Sequence, residues 1–296
     1  MFIDRKIVPH AAAANPLAFH RSRNRPAGQV ALTLMAGLVV ALILFFLVLP
    51  TLIIIPMSLS TTPHLQFPPQ GITWKWYAAY FADPDWMAAT WFSLRIAVAT
   101  SLTATVVGTM TALAIVRGDI PFKGALHALS LGPMVVPHIV LGVALYLVFS
   151  PLHLTGTLTG FLIGHTVLAV PFVVITVTAA LQRLDPALEL AALNCGANRT
   201  QAFLHITLPN IAPGVASGAV FSFLASFDEA TVAFFISDVG GKSIGRKMFE
   251  DIDFNLTPVI AAASTVIVVA SLFLIGFVQL LSKSGNPENQ AEGEDQ

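Results

Sequence analysis

The chain has 296 residues, of which 55% are apolar and only 10% charged, with a mean hydropathy of +0.77. A soluble domain carries roughly 25% charged residues, so this composition excludes an ordinary water-soluble fold and points to a chain dissolved in lipid. The formal charge of −1 gives no electrostatic argument for binding nucleic acid, and a single cysteine, Cys195, leaves no internal disulfide to form.

Arg21, Arg23 and Arg25 precede an apolar run from Val30 to about Ile55. A secretory signal has an apolar core of roughly 7–15 residues. This run is far longer and no small-residue cleavage pattern closes it before Pro56, so it is read as a retained span. About 20 apolar residues cross a bilayer, and six stretches qualify: 30–57, 91–116, 124–150, 157–181, 211–236 and 257–282. The expectation is an all-α membrane protein with about six transmembrane helices. Its organisation is an N-terminal segment 1–29, a membrane domain 30–283 and a polar, acidic, disordered tail 284–296.

The connection 58–90 is rich in aromatic residues, including Trp74, Trp76, Tyr80 and Trp86, and is expected to lie along a membrane surface. Segment 117–123 is a short loop, and 182–210 and 237–256 are longer polar connections. With the N-terminus inside, ten Lys and Arg residues fall on the inner side and four on the outer side. That bias places both termini in the cytoplasm.

No sequence pattern supports catalysis or metal binding. Gly240-Gly241-Lys242-Ser243 ends like a phosphate-binding loop, but Ile236 stands where the required earlier glycine belongs. The eight histidines form no zinc pattern and no Gly-x-Ser-x-Gly elbow is present. Catalytic residues and metal ligands are therefore expected to be absent.

Residues 185–214 carry the strongest local signal. Asp185 is a good helix N-cap and Pro186 suits the first turn. The spacing predicts a helix from Pro186 to about Cys195, ended by Gly196 in the left-handed conformation. Asn198 with Gln201 forms a capping-box pattern that starts a second helix, which Leu208-Pro209 should end. Leu188, Ala191, Ala192 and Cys195 share one face of the first helix. Such a small-residue apolar face either docks into a groove on a partner or packs against the protein's own membrane base. Cys195 is expected to be a small buried residue.

Within the fifth stretch, Asp228 and Glu229 are adjacent acids about 25 Å along a helix from Ile211. Acids inside a span mark a pathway, gate or ion pair, whereas at a helix end in the interface they are unremarkable. Arg95 is a candidate partner for one of them near the outer face. His138 and His165 lie in the third and fourth stretches, where each either bonds a neighbour or touches a transported solute. Pro133, Pro137 and Pro171 are helix breakers that could shape a cavity.

The segment Ala191-Ala192, three residues, Gly196, nine residues, Ile206-x-Leu208-Pro209 resembles the cytoplasmic "EAA" loop of ABC importer permeases. Leu190 stands where that pattern has Glu, and Glu189 lies one residue earlier. The resemblance extends to six spans, both termini inside, and a loop between spans four and five. It implies a type I importer permease fold in the bacterial inner membrane. It also implies that Leu188, Glu189, Ala191, Ala192, Gly196, Ile206, Leu208 and Pro209 form the coupling segment that meets the ATPase. The partners it implies are ABC ATPase subunits, a second permease subunit (a heterodimer) and an extracytoplasmic solute-binding protein. ATP and Mg belong to the partner ATPase, with no cofactor on this chain.

Phe227-Asp228-Glu229 followed by Phe234-Phe235-Ile236-Ser237 resembles the fifth span of spermidine/putrescine-type permeases, as in the second of their two permease subunits. The sequence departs from that group at His138, where an acid is common, and at Gly245, where a proline is common. The resemblance implies uptake of a polyamine or related amino compound, with Asp228, Glu229, His138 and Arg95 as candidate pathway or gate residues. The alternatives are a permease for an amino acid derivative, a phosphonate or iron, a polytopic membrane enzyme, or a scaffold. An enzyme should cluster His, Asp or Ser at one depth, and a scaffold has no need of the helix–Gly–helix–Leu-Pro arrangement.

Overall fold

The computed structural model describes residues 27–237, 242–254 and 256–284. The N-terminal segment up to residue 26, the glycines Gly240 and Gly241, and the tail beyond residue 284 lie outside the described residues. The chain divides into two units, residues 1–51 and 52–296. In the first, α1 (Ala27–Ser58) begins; Leu38, Phe46 and Leu47 are 60%, 73% and 66% exposed, as for a helix whose whole circumference is apolar.

Every regular element among the described residues of the second unit is a helix. This unit contains α2 (Lys75–Ala82), α3 (Pro84–Val116), α4 (Lys123–Val135), α5 (His138–Phe149), α6 (Leu158–Arg183) and α7 (Pro186–Asn194). After these come α8 (Arg199–Ala202), a π-helical turn (Phe203–Thr207), α9 (Leu208–Phe227), α10 (Thr231–Ile236), α11 (Ile244–Phe254) and α12 (Pro258–Ser284). Among the described residues, five helices are long and apolar enough to cross a membrane, or six if α4 and α5 are counted as one broken span. Residues of α3, α6 and α9 form the central core. Ala104, Ala112, Ala169, Val173, Val177, Leu181 and Ile211 are buried there, and the small side chains let the three helices approach closely.

The third expected span is not one rod. α4 and α5 meet at 105°. Pro137 has no N–H to continue the α4 ladder, and it holds Val136 extended at φ −74°, ψ 132°. Pro133 and Pro171 instead lie inside continuous helices.

The fifth expected span also ends early. α9 stops at Phe227, Asp228 caps its C-terminus, and 231–236 is the separate helix α10, packed against α5 and α6. At its other end, Leu208-Pro209 does not terminate the helix. Residues 199–227 run continuously through the π-turn, in which the Leu208 N–H reaches back five residues to the Phe203 carbonyl. That widened turn accommodates a proline that would break a regular helix.

The aromatic loop is only partly a surface feature. Trp74 and Phe81 are 67% and 59% exposed, but Tyr80 and Trp86 are buried against Ile244 and Ala263. The polar connection 237–256 contains the amphipathic helix α11.

Candidate functional site

The segment 185–209 folds as local chemistry requires. Asp185 Oδ1 accepts from the Ala187 N–H at 2.9 Å, starting α7. Gly196 adopts φ +93°, a conformation that L side chains rarely take. Asn198 Oδ1 accepts from the Gln201 N–H at 2.8 Å and Gln201 Oε1 from the Asn198 N–H at 2.9 Å, completing the capping box.

α7 buries none of its residues. Leu188, Leu190 and Leu193 are 48%, 60% and 38% exposed, so much of the helix surface is open. Ala191 is exposed and Ala192 half-buried, and Cys195 is exposed rather than buried as expected. Ile206 and Leu208 are half-buried in the following turn, and Pro209 is exposed.

Glu189 points the other way. Its Oε1 accepts from Arg117 Nε at 3.3 Å and from Thr207 Oγ1 at 3.0 Å. Arg117, the C-cap of α3, also donates to the Leu184 and Leu181 carbonyls at 2.9 and 3.4 Å. Arg117 and Thr207 are functional candidates that the sequence did not single out. Thr207 lies inside the motif at an unspecified position, and Arg117 is 72 residues from its acid.

At the other end of α9, a cavity of about 700 Å³ is lined by Pro133, Met134, His138, Phe172, Phe221, Asp228, Glu229 and Phe249, among others. The two acids have separate jobs. Glu229 is 6% exposed; its Oε1 accepts from the Val232 N–H at 2.8 Å and its Oε2 lies 2.9 Å from His138 Nδ1. It therefore ties the α9–α10 corner to the start of α5. Asp228 is exposed and enters no ion pair with the described residues, and no described Lys or Arg lines the cavity. His165 is buried and its Nδ1 lies 2.9 Å from Ser226 Oγ, the hydrogen-bonded arrangement open to it in the sequence.

Arg95 does not join this site. It is exposed on the α3 face that also carries Trp91, Val98 and Leu102, at 57%, 46% and 64% exposure, while Ser93, Ile96, Ala97 and Thr100 face inward. Helical periodicity turns its side chain away from the acids, and His138 is the partner of Glu229 instead.

α11, which contributes Phe249 to the cavity lining, is anchored to α3 and α10. Ile244 N–H donates to Ser93 Oγ at 2.8 Å, and Arg246 sits over the Phe234 ring at 4.5 Å. Burial pushes the Glu250 carboxyl up, but hydrogen bonds from Lys242 and Arg246 outweigh it and hold the carboxyl below its usual range. A Cβ at Gly245 would lie 2.5 Å from Ala230 Cβ and 2.8 Å from Ala230 Cα, next to the two acids. Gly245→Ala is expected to push α11 off the α9–α10 corner and to cost about 1–3 kcal/mol. A lowered thermal midpoint of the detergent-solubilised protein would register that displacement, and an unchanged midpoint would refute the close approach. Among the described residues no group of three or more His, Cys, Asp or Glu side chains is placed to hold a metal ion.

Known proteins resemble this chain in sequence and in fold. The chain is 28% identical over 242 residues to the spermidine/putrescine transport system permease protein PotC of Haemophilus influenzae, covering 81% of this chain and 93% of that protein. It is 29% identical over 241 residues to the putrescine transport system permease protein PotI of Escherichia coli, covering 79% and 85%. A bacterial alginate ABC transporter solved in complex with its alginate pentasaccharide-bound periplasmic protein contains a chain of the same fold. That superposition has a TM-score of 0.68 at 18% identity and covers 88% of this chain and 98% of the other. The profile of the family described as binding-protein-dependent transport system inner membrane component matches residues 104–284, more than half of the sequence, including α7, the clasped Glu189 and both acids. The chain belongs to that family: it is an inner-membrane permease subunit of an ABC importer and not an enzyme.

Proposed function

We propose that this permease conducts a small organic cation of the polyamine class, handed over by a solute-binding protein and driven by ATP hydrolysis on separate ATPase subunits. The observation that carries the reading is Asp228: an exposed carboxylate with no ion-pair partner among the described residues, in a cavity lined by Phe172, Phe221 and Phe249 to which no described Lys or Arg contributes. A carboxylate supplies a charge-assisted acceptor for an ammonium group, and aromatic faces attract the same cation. Glu229 is already engaged by His138 and the α10 backbone, so one net carboxylate is available to the solute. The names of the relatives PotC and PotI point to the same solute class.

In this proposal both termini and α7 face the cytoplasm, where α7 seats in a cleft of the ATPase. Its exposed leucines and Ala191 support that role. A second permease subunit completes the pathway, which alternates between outward and inward access as the ATPase closes and reopens. ATP and Mg are bound by the ATPase.

Uptake of labelled putrescine and spermidine should be measured in cells expressing the complete transporter with and without this chain. Uptake that requires the chain is the expected result. An assembled, ATP-hydrolysing transporter that moves neither polyamine, but does move an amino acid derivative, a phosphonate or iron, would reject the polyamine class.

A further inference from the structure

We infer that Arg117, Glu189 and Thr207 form an internal clasp through which α7 pulls on the membrane helices, so that Glu189 is a positioning residue facing inward. The inference rests on the reading of α7 as the coupling helix.

α7 has no buried residue of its own, so little apolar packing is there to transmit a displacement from it to the bundle. What does cross that gap is polar. Oε1 of Glu189 receives Arg117 Nε at 3.3 Å and Thr207 Oγ1 at 3.0 Å. Arg117 ends α3 and its other arm holds the last carbonyls of α6, at Leu184 and Leu181. Thr207 is the last residue of the π-turn that leads into α9. One carboxylate oxygen on α7 is thus joined to α3, through Arg117 to α6, and to α9, the three helices that form the central core.

The geometry also leaves room for movement. A recess of about 450 Å³ lies beneath the clasp, lined by Leu113, Leu193, Ala202, Phe203 and the clasp residues themselves. The π-turn adds a second point of give, since such turns interrupt regular helix bonding and recur at functional positions. A charged pair with both side chains about one-quarter exposed is partly shielded from salt and directional enough to carry a pull.

Thr207 separates this inference from simple docking, because at 3% exposure it cannot touch a partner subunit. The complete transporter, purified with its ATPase subunits, second permease and binding protein, should be placed in proteoliposomes. Solute moved per ATP hydrolysed is then measured for Glu189→Ala, Thr207→Val and Thr207→Ser. The expected result is a fall of about 5-fold or more in that ratio for the first two variants, the lower end of ordinary coupling free energies. Subunit composition and basal ATP hydrolysis should stay unchanged in Thr207→Val, whose side chain lies outside the docking surface, and Thr207→Ser should restore the ratio because its hydroxyl still donates. A wild-type ratio in Thr207→Val overturns the clasp, as does loss of the ATPase subunits from the Glu189→Ala complex with a normal ratio in Thr207→Val. Ala191→Arg is run in parallel: normal uptake in that variant would instead remove the coupling reading of α7.

Discussion

Asp228→Asn is expected to reduce binding-protein-driven uptake of putrescine or spermidine by roughly 10- to 100-fold while leaving the protein folded in the membrane. A hydrogen bond to a charged group contributes about 1.5–3 kcal/mol, and each 1.4 kcal/mol is a factor of ten. Asparagine keeps the shape, removes the charge and turns one acceptor oxygen into a donor that cannot receive an ammonium hydrogen. Because Asp228 is exposed to the cavity and pairs with no described residue, the substitution breaks nothing inside the protein. Glu229→Gln provides the contrast. Its carboxylate is buried, bonded to the Val232 N–H and to His138, so its loss should appear first as a weakened α9–α10 corner and reduced thermal stability. Radiolabel uptake and a detergent melting curve, taken on both variants, distinguish the two acids. Full polyamine uptake by Asp228→Asn would refute recognition by this carboxylate.

The second large effect is expected at the α7 end, where Ala191→Trp should abolish uptake although the side chain has space around it. Ala191 is exposed, so a bulky residue there strains nothing within this chain and can act only by obstructing a surface that α7 must meet. The expected loss is about 150-fold or more, at or beyond the upper end of ordinary coupling free energies. Gly196→Val reaches the same end by another route. No atom lies within 4 Å of a Cβ at this position, but φ is +93°. The left-handed conformation disfavours a β-branched residue by about 1–2 kcal/mol, so the turn that ends α7 should be remodelled. Both variants should insert normally, as judged by membrane fractionation and protease accessibility. Wild-type uptake by Ala191→Trp would show that α7 docks on nothing.

The predictions differ in how much of their basis the primary structure carries. The α7 turn is encoded locally: Asp185, Pro186, Gly196, Asn198 and Gln201 each act on backbone within a few residues. The apolar lengths are equally local, because a bilayer demands about 20 apolar residues whatever they pack against. Those features determined by themselves that the chain is a helical membrane protein with a helix–turn–helix between its fourth and fifth spans.

Tertiary structure decided the rest. Pro137 is visible in the sequence, but the 105° turn between α4 and α5 depends on what α5 packs against, namely α10. The end of α9 at Phe227 could not be read from hydropathy, since α10 is as apolar as the helix it follows. Which charges meet is likewise a long-range matter. His138 and Arg117 reach Glu229 and Glu189 across 91 and 72 residues, while the direction of each side chain is set by the rotation of its helix within the bundle. Arg95 shows the same rule in reverse: its charge made it a plausible partner, and the phase of α3 points it away from the acids. Local chemistry defines the helices and their ends, but only packing fixes their rotation, and rotation decides which polar groups lie within bonding distance.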